Sequence, residues 1–281
     1  MKQHHTVLSI AGSDPIGGAG IQADIKTCTA LGAYAMTAIT ALTAQNSTGV
    51  KGVAVTDPDF LKLQLDTVLT DVRPDAVKTG MLPEEEAVRI TTDAILRYDL
   101  KNVVVDPVLV ATSGDTLAGA GARRALMKAL LPLATVATPN IPECEAFINR
   151  EIAGPQSMEI AAAEFQRLTG CQWVLLKGGH GVLNSRHGDL LYSVETGPLW
   201  HEHPHIDTPN THGTGCTLSS AIAALLAQDL PVQTAVYQAI DWLSGAIKSG
   251  ADFTFGTPGG HGPVNHLWRS LSASLVRRFP G

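Results

Sequence analysis

A glycine-rich segment at residues 211–216, reading Thr-His-Gly-Thr-Gly-Cys, runs directly into a stretch with apolar residues at helical spacing. The apolar positions 218, 222, 225 and 226 predict a turn that opens onto a buried helix. Glycines let backbone N–H groups approach an anion closely, and the unpaired N–H groups of a helix N-terminus favour negative charge. Cys216 lies in the first helical turn, where the helix field is expected to lower the pKa of a thiol. Such a turn suits phosphoryl transfer.

The local sequence of this turn leaves two other interpretations open. Gly-x-Gly before a helix is also typical of a tight loop without any ligand. Cys216 is also compatible with a small buried apolar residue. The rest of the chain has to decide between these interpretations.

Composition limits the class of protein. The chain has 281 residues, of which 44% are hydrophobic and 16% charged, and this predicts a single globular domain spanning residues 1–281. The net charge of −6 argues against a nucleic-acid partner. Four widely spaced cysteines without a Cys-x-x-Cys pair argue against a zinc site or a disulfide framework. We find neither a signal-peptide pattern nor an apolar run long enough for a membrane span, and we therefore expect a cytoplasmic protein without a membrane partner.

Strands alternate with helices along the chain. Apolar runs predict strands at 6–11, 34–44, 76–81, 103–107, 135–140 and 173–179. Helical spacing and capping signals predict helices at 21–31, 58–69, 119–131, from 83 and from 215. The strands are unbroken apolar runs, which indicates a parallel sheet covered by helices on both faces. Segments 190–193 and 200–206 alternate instead and predict antiparallel strands at the sheet edge.

The loops that follow the predicted strands are expected to lie together at the carboxyl edge of the sheet. In a parallel sheet with covering helices, ligands bind beyond the carboxyl ends of the strands. We expect the following loops to gather there: 12–20, 79–82, 106–115, 139–143, 177–181 and 208–216.

Eight motifs follow one another in an order typical of one family. They are Ala11–Pro15, Gly17–Asp24, Thr40–Asn46, Lys78–Met81, Val105–Val108, Thr138–Glu143, Lys177–His180 and Asn210–Cys216. Together they resemble the hydroxymethylpyrimidine/phosphomethylpyrimidine kinases, a thiamin-biosynthesis branch of the ribokinase-like kinases. The resemblance extends from about residue 5 to Val264. It implies a ribokinase-like three-layer α/β sandwich with a mostly parallel central sheet.

The resemblance also implies a reaction. The family phosphorylates 4-amino-5-hydroxymethyl-2-methylpyrimidine and then its monophosphate, using ATP and Mg²⁺. Gly213, Thr214 and Gly215 would form the anion hole for the transferring phosphoryl group. Cys216 would be the base or the group that positions the acceptor hydroxyl, at a place where other branches of the superfamily carry aspartate. The resemblance further suggests a homodimer.

The substrate pocket implied by the resemblance contains Gly12, Asp24, Gln45, Met81 and Val108. Gln45 can donate and accept hydrogen bonds, whereas ionised Asp24 can only accept them, and such a pair suits the edge of an aminopyrimidine. Without the resemblance, Asp24 would be interpreted as a solvated helix residue and Gln45 as a polar strand end. Thr43 departs from the family pattern, in which valine is expected.

The nucleotide side implied by the resemblance contains Lys177, Asn140, Thr211 and Gly213. Asp106 and Glu143 would hold Mg²⁺, which uses few carboxylates and keeps several waters. The Asn-x-x-Glu spacing of residues 140–143 equally predicts a helix capping box, and Asp106 before proline equally predicts a turn.

Several alternatives remain at the level of sequence. Pyridoxal kinase is the main rival, because its substrate is also a flat heteroaromatic alcohol. A nicotinamide-dependent oxidoreductase is a remote one, since the glycines at 18–20 are not followed by an acidic residue at the end of the second strand. Histidines at 201, 203 and 205 have metal-like spacing, but a solvated edge strand is the favoured interpretation. His212 receives no catalytic role.

Overall fold

A computed structural model describes residues 4–109, 119–178 and 188–269. The strands of this part of the chain form a single sheet in the order β3-β2-β1-β4-β5-β6-β7-β8-β9. They are β1 (Thr6–Ser13), β2 (Tyr34–Asn46), β3 (Gly49–Val55), β4 (Ala76–Thr79), β5 (Val103–Val105), β6 (Val136–Ala137), β7 (Trp173–Leu176), β8 (Gly188–Ser193) and β9 (Gly197–Glu202). The six central strands are parallel to one another, namely β2, β1, β4, β5, β6 and β7. At the two edges, β3, β8 and β9 add antiparallel pairs.

Helices cover both faces of the sheet. They are α1 (Gly20–Ala30), α2 (Pro58–Leu69), α3 (Glu85–Arg97), α4 (Ala120–Ala125), α5 (Ile141–Ile148), α6 (Pro155–Thr169), α7 (Thr214–Leu226) and α8 (Val232–Gly250). The core under one face is supplied by α2 to α6, and the core under the other face by α1, α7 and α8. This arrangement confirms the predicted three-layer sandwich.

Burial on both faces explains why the central strands are continuous apolar runs. In β1, Leu8 and Ile10 enter one core and Val7 enters the other, and all three are fully buried. Successive strand residues point to opposite faces, so only an apolar residue at every position satisfies both cores.

The prediction for the second strand was wrong in two respects. Residues 34–44 were expected to form a fully buried strand, but β2 continues to Asn46 and leaves Tyr34 and Leu42 mostly exposed. The reason is that β2 turns back into β3, which the sequence analysis did not identify, and the resulting hairpin forms a sheet edge. β3 itself is almost entirely exposed and therefore lacks the apolar run that marks a core strand.

Four further elements differ from the sequence analysis. The helix predicted at 119–131 is the short α4, which continues as a π-helical turn and then a 3₁₀ turn up to Leu133. The edge strand predicted at 200–206 is β9, which ends at Glu202 before Pro204. The long helices α6 and α8 were not assigned from the sequence.

The loops behave as expected where they are described. The carboxyl ends of the parallel strands lie at one edge of the sheet, and residues up to 109 and up to 178 of two predicted loops are seen there. The rest of the predicted loops 106–115 and 177–181 lies outside the described residues. Among the described helices, none combines the length and the apolar character that crossing a membrane requires.

A buried ion pair joins four elements beneath this edge. Lys78 of β4 and Asp24 of α1 are both fully buried, and Lys78 Nζ lies 2.9 Å from each carboxylate oxygen of Asp24. Ser9 of β1 and Ser220 of α7 also donate hydrogen bonds to this carboxylate. Burial is the largest single influence and lowers the pKa of Lys78, but several opposing influences, led by the Asp24 carboxylate, together raise the pKa. Lys78 is therefore a buried cation, and the contacts of Asp24 with Lys78, Ser9 and Ser220 fix α1 and α7 against the sheet.

We predict that Asp24→Asn lowers the free energy of unfolding by about 3 kcal/mol or more, because it leaves the Lys78 ammonium buried without its counter-charge. Urea unfolding followed by circular dichroism measures the change. Lys62→Ala is the control, since it removes an exposed ion pair with Asp66 and should cost less than about 1 kcal/mol. Equal losses in the two variants would contradict the structural role of the buried pair.

Candidate active site

A cavity of about 570 Å³ opens at the carboxyl edge of the sheet. Its wall combines the glycine-rich loop after β1, the ends of β2 and β4 to β7, and the turn before α7. All of the predicted site residues except Asp24 line it: Gly12, Gln45, Met81, Asp106, Val108, Asn140, Glu143, Lys177, Thr211, Gly213, Thr214, Gly215 and Cys216. Residues far apart in the sequence thus meet in one space, although the contacts that they make with ligands remain predictions.

The turn before α7 has the shape expected of an anion site. Gly213 precedes the helix with φ +80°, and no side chain of the described residues caps the helix. Of the first-turn N–H groups, that of Thr214 donates to the Thr211 carbonyl at 3.3 Å. Those of Gly215 and Cys216 have no partner within the helix and are left for an anion. A Cβ on Gly215 would lie 3.5 Å from both Asp106 Oδ2 and Lys177 Nζ, so the turn adjoins those charged groups.

Two glycine-rich loops pack closely against each other at this turn. A Cβ on Gly213 would overlap the carbonyl oxygen of Gly18, and a Cβ on Gly18 would overlap the His212 ring. Only glycine allows this approach at Gly213, where φ is also positive. The packing brings the 12–20 loop to the edge of the turn formed by residues 211–216, which we call the phosphate turn.

Asp14 organises the 12–20 loop and was not recognised from the sequence. Its buried carboxylate accepts hydrogen bonds from the backbone N–H groups of Ile16, Gly18 and Ala19 at 2.9–3.1 Å. It also lies 2.8 Å from His212 Nε2. Burial raises the pKa of Asp14, but the hydrogen bonds from His212 and the amides outweigh it and leave the pKa lowered. An aspartate followed within five residues by two glycines was the available sequence signal for such a turn.

A second charged group lies on the opposite side of the turn. Lys177 Nζ is 3.2 Å from Asp106 Oδ1, which also accepts a hydrogen bond from Thr138. The pKa of Lys177 would fall through burial, but Asp106 and Glu143 raise it. Lys177 is therefore a cation held within the cavity.

Asn140 and Glu143 form the capping box that their spacing predicted. Asn140 Oδ1 accepts from the Glu143 N–H, and Glu143 Oε2 accepts from the Asn140 N–H, each at 2.8 Å. Burial raises the pKa of Glu143, with Lys177 opposing the rise and Asp106 adding to it. The structural interpretation of this pair is thus present in the fold, and its role towards metal or nucleotide remains a prediction.

Asp24 is the one predicted substrate residue that the structure does not bring to the cavity. Its carboxylate is fully buried and receives hydrogen bonds from Lys78, Ser9 and Ser220. With these partners it has no free edge towards a ligand, so the expected contact with a pyrimidine is corrected to a structural role. The alternative of a solvated helix residue is wrong for the same reason.

Cys216 lies in the cavity wall as predicted, but the expected low pKa is not found. Burial raises the pKa of its thiol to about 11, and the nearby carboxylates of Asp24 and Asp106 add to this. Lys78 and the N–H group of Gly20 oppose the rise without cancelling it. The thiol is therefore protonated at neutral pH in this structure.

The histidines of the 201–205 segment separate. His201 lies 2.9 Å from Asp241 and stacks on Tyr237, whereas His203 lies 3.4 Å from Asp189. His203 and His205 line the cavity, so a wholly solvated edge strand does not describe them. In the described ranges, no three or more histidine, cysteine, aspartate or glutamate side chains are grouped to hold a metal.

Comparison with known proteins identifies relatives of this chain. The family model of phosphomethylpyrimidine kinase matches residues 14–265. The chain is 43% identical over 265 residues to the hydroxymethylpyrimidine/phosphomethylpyrimidine kinase of Salmonella typhimurium, covering 94% of this chain and 98% of that protein. It is 45% identical to the thiamine biosynthesis bifunctional protein ThiED of Geobacter sulfurreducens, covering 97% of this chain but 54%, about half, of that relative. The ADP complex of Bacillus subtilis pyridoxal kinase superposes with a TM-score of 0.86 at 37% identity, over 96% of this chain and all of that one.

We predict that the alkylation rate of Cys216 by iodoacetamide is slow at pH 7 and rises about tenfold per pH unit towards pH 11, because only the thiolate reacts and its pKa is about 11. Peptide mass spectrometry measures the rate. The other three cysteines are buried and serve as internal references. A rate that reaches its plateau below pH 8 would contradict the raised pKa.

Proposed function

The chain belongs to the phosphomethylpyrimidine kinase family, and on this premise we propose how its cavity carries out the reaction. The protein is a phosphotransferase of thiamine biosynthesis. It phosphorylates the hydroxymethyl group of 4-amino-5-hydroxymethyl-2-methylpyrimidine with ATP and adds a second phosphate to the monophosphate. One observation carries the proposal: the uncapped N-terminus of α7 and Cys216 open into the same cavity as Gln45, Met81 and Val108.

ATP is proposed to bind between α8 and the phosphate turn. Leu218, Ile240, Leu243 and Ile247 form an apolar wall of the cavity that suits an adenine ring. Lys177, Asn140 and Thr211 lie on the side of the phosphate turn and would contact the phosphates. The Lys177 ammonium is held close to Gly215 and is therefore placed to compensate their charge.

Phosphoryl transfer is proposed to take place at the first turn of α7. The N–H groups of Gly213, Thr214 and Gly215 would donate hydrogen bonds to the equatorial oxygens as negative charge develops on them. The transition state of this reaction is loose, so the acceptor hydroxyl needs accurate placement more than a strong base. A protonated Cys216 thiol supports a role in positioning the hydroxyl rather than in removing its proton.

The residues near Asp106 fit a Mg²⁺ ion. Asp106 and Glu143 offer carboxylate oxygens beside the amide of Asn140, and hard cations of this size take oxygen ligands and keep several waters. When bound, Mg²⁺ would neutralise charge on the phosphates. Asp106 and Glu143 would hold it, while Lys177 keeps the site from carrying an excess of negative charge in its absence.

The substrate ring is proposed to lie between Gly12, Gln45, Met81 and Val108. A Cβ on Gly12 would lie 3.1 Å from the Met81 sulfur, so these two residues pack against each other and would together form one side of the ring pocket. The second phosphorylation requires the same pocket to place a phosphate oxygen where the hydroxyl first lay. Pyridoxal is the rival substrate because it is also flat and carries a hydroxymethyl arm.

We further propose a cytoplasmic homodimer with a single domain over residues 1–281. All four cysteines are free thiols, which suits a reducing compartment. The continuous sheet from β1 to β9 supports one domain. The β2–β3 hairpin and α2 expose apolar side chains, namely Leu42, Val53, Val55, Phe60 and Leu63, and β3 is the terminal strand at this end of the described sheet. We propose that a second copy of the chain packs against these apolar side chains and forms the homodimer.

We predict that ATP-dependent ADP release is fast with the pyrimidine alcohol and with its monophosphate, and slower with pyridoxal. A coupled assay compares the three acceptors. Cys216→Ala should retain the fold, as judged by circular dichroism, and lose turnover by about 100-fold or more, because the acceptor hydroxyl is no longer accurately placed. A marked preference for pyridoxal would favour the rival kinase, and near-normal turnover of Cys216→Ala would leave the residue a packing role.

We predict that the protein sediments as a dimer at micromolar concentration and that Leu42→Glu shifts it to monomer, because a buried charge at the hairpin would oppose association. Analytical ultracentrifugation measures the change. Leu96→Glu is the matched control, since Leu96 on α3 is 60% exposed and Leu42 is 55% exposed. A monomeric wild type, or dissociation by both variants, would contradict this interface.

A further inference from the structure

Four polar side chains connect the glycine-rich loops to the end of β2. Asp14 Oδ2 lies 2.8 Å from His212 Nε2, which lies 3.4 Å from the Gln45 amide nitrogen. The Gln45 amide oxygen lies 3.4 Å from Thr43 Oγ1, and this hydroxyl donates to the Ser13 carbonyl at 3.0 Å. Neither His212 nor Thr43 has a role in the function proposed above.

The proton on His212 is fixed by Asp14. The Asp14 carboxylate already accepts three backbone N–H groups, its pKa is lowered, and an ionised carboxylate can only accept hydrogen bonds. A contact of 2.8 Å with this carboxylate therefore requires a proton on His212 Nε2. The nitrogen then has no lone pair with which to accept a hydrogen bond from Gln45.

This constraint determines how the Gln45 amide is turned. With its NH₂ group towards His212, two donors would face each other. The amide occupies the same volume with oxygen and nitrogen exchanged, and then its oxygen faces the His212 N–H while its NH₂ group faces Thr43 Oγ1. The Thr43 hydroxyl has free lone pairs, because its own proton points to Ser13. This orientation removes the donor–donor contact: the Gln45 oxygen shares the His212 N–H with Asp14, and one N–H of the amide donates to Thr43.

We propose that His212 is a positioning residue: held by Asp14, it fixes the Gln45 amide with its oxygen inward and its NH₂ group towards Thr43 and the cavity. Thr43 supplies the second anchor of the amide. The cavity then presents an N–H donor beside the substrate, which favours a ring atom with a lone pair at that place. The contact between Gln45 and the substrate, on which this inference depends, is part of the proposed function. The inference adds that His212, a residue of the phosphate turn, also shapes the substrate pocket.

The tautomer of His212 can be measured on the unmodified protein. Long-range proton–nitrogen NMR of histidine-labelled protein should show a proton on Nε2 of His212. A neutral ring with its proton on Nδ1 would overturn the inference. This readout needs neither activity nor a variant that folds.

The coupling between His212 and Gln45 is measured by a double-mutant cycle with saturating ATP. Gln45→Glu replaces the NH₂ group by a second acceptor, and it should raise KM for the pyrimidine alcohol by at least about tenfold while changing kcat less. In the His212→Phe background the amide is already free to turn, so the same substitution should raise KM several-fold less. Unfolding midpoints show whether each variant is folded.

His201→Phe provides the matched control for this cycle. His201 is bonded to Asp241 and does not line the cavity, so its substitution should be additive with Gln45→Glu. Additive effects of His212→Phe and Gln45→Glu would overturn the positioning role. If wild-type protein releases ADP with the pyrimidine alcohol while the cycle is additive, only this inference fails. If wild-type protein shows no such activity, the proposed function fails. The NMR measurement of the His212 tautomer then tests the orientation of Gln45 without any activity assay.

Discussion

The close packing of two glycine-rich loops at the N-terminus of α7 is the contact on which the site depends. Gly213 can adopt its positive φ and approach Gly18 only because neither residue has a side chain in the way. The buried Asp14 carboxylate then holds one loop by its backbone amides and the other by His212. The turn is thereby kept open towards the cavity, and no side chain is needed to cap the helix.

The electrostatics of the cavity follow from the same arrangement. Two lysines, Lys78 and Lys177, lie near the first turn of α7, and each is neutralised by its own aspartate. Cys216 lies between these two ion pairs, each of which has no net charge. Burial therefore affects the pKa of its thiol more than the positive charge of Lys78 does, and the pKa rises instead of falling. The helix N-terminus alone is thus too weak to produce a thiolate here. Binding of an anionic nucleotide would add negative charge and favour the protonated thiol still further.

Much of the fold was predictable because a strand that is buried on both faces has apolar residues at consecutive positions in the sequence. Continuous apolar runs identified β1, β4, β5, β6 and β7, whose residues must satisfy two cores at once. The β2–β3 hairpin and the edge strand β9 were misjudged, since a strand with one exposed side obeys no such constraint. Asn140 and Glu143 were predicted correctly as a capping box because that contact is local, spanning three residues.

The sequence by itself determined which segments reach the carboxyl edge, and therefore which residues could take part in chemistry, because the positions and burial of the strands follow from local apolar patterns. The tertiary structure alone decided what each polar group faces. Asp24 and Asp14 are both aspartates near glycines. Asp24 forms a buried ion pair with Lys78 in the core, whereas Asp14 organises a loop beside the cavity. Partners 54 and 198 residues away make that difference. Hydrogen bonds and charges depend on distances in space, which no local pattern of residues contains.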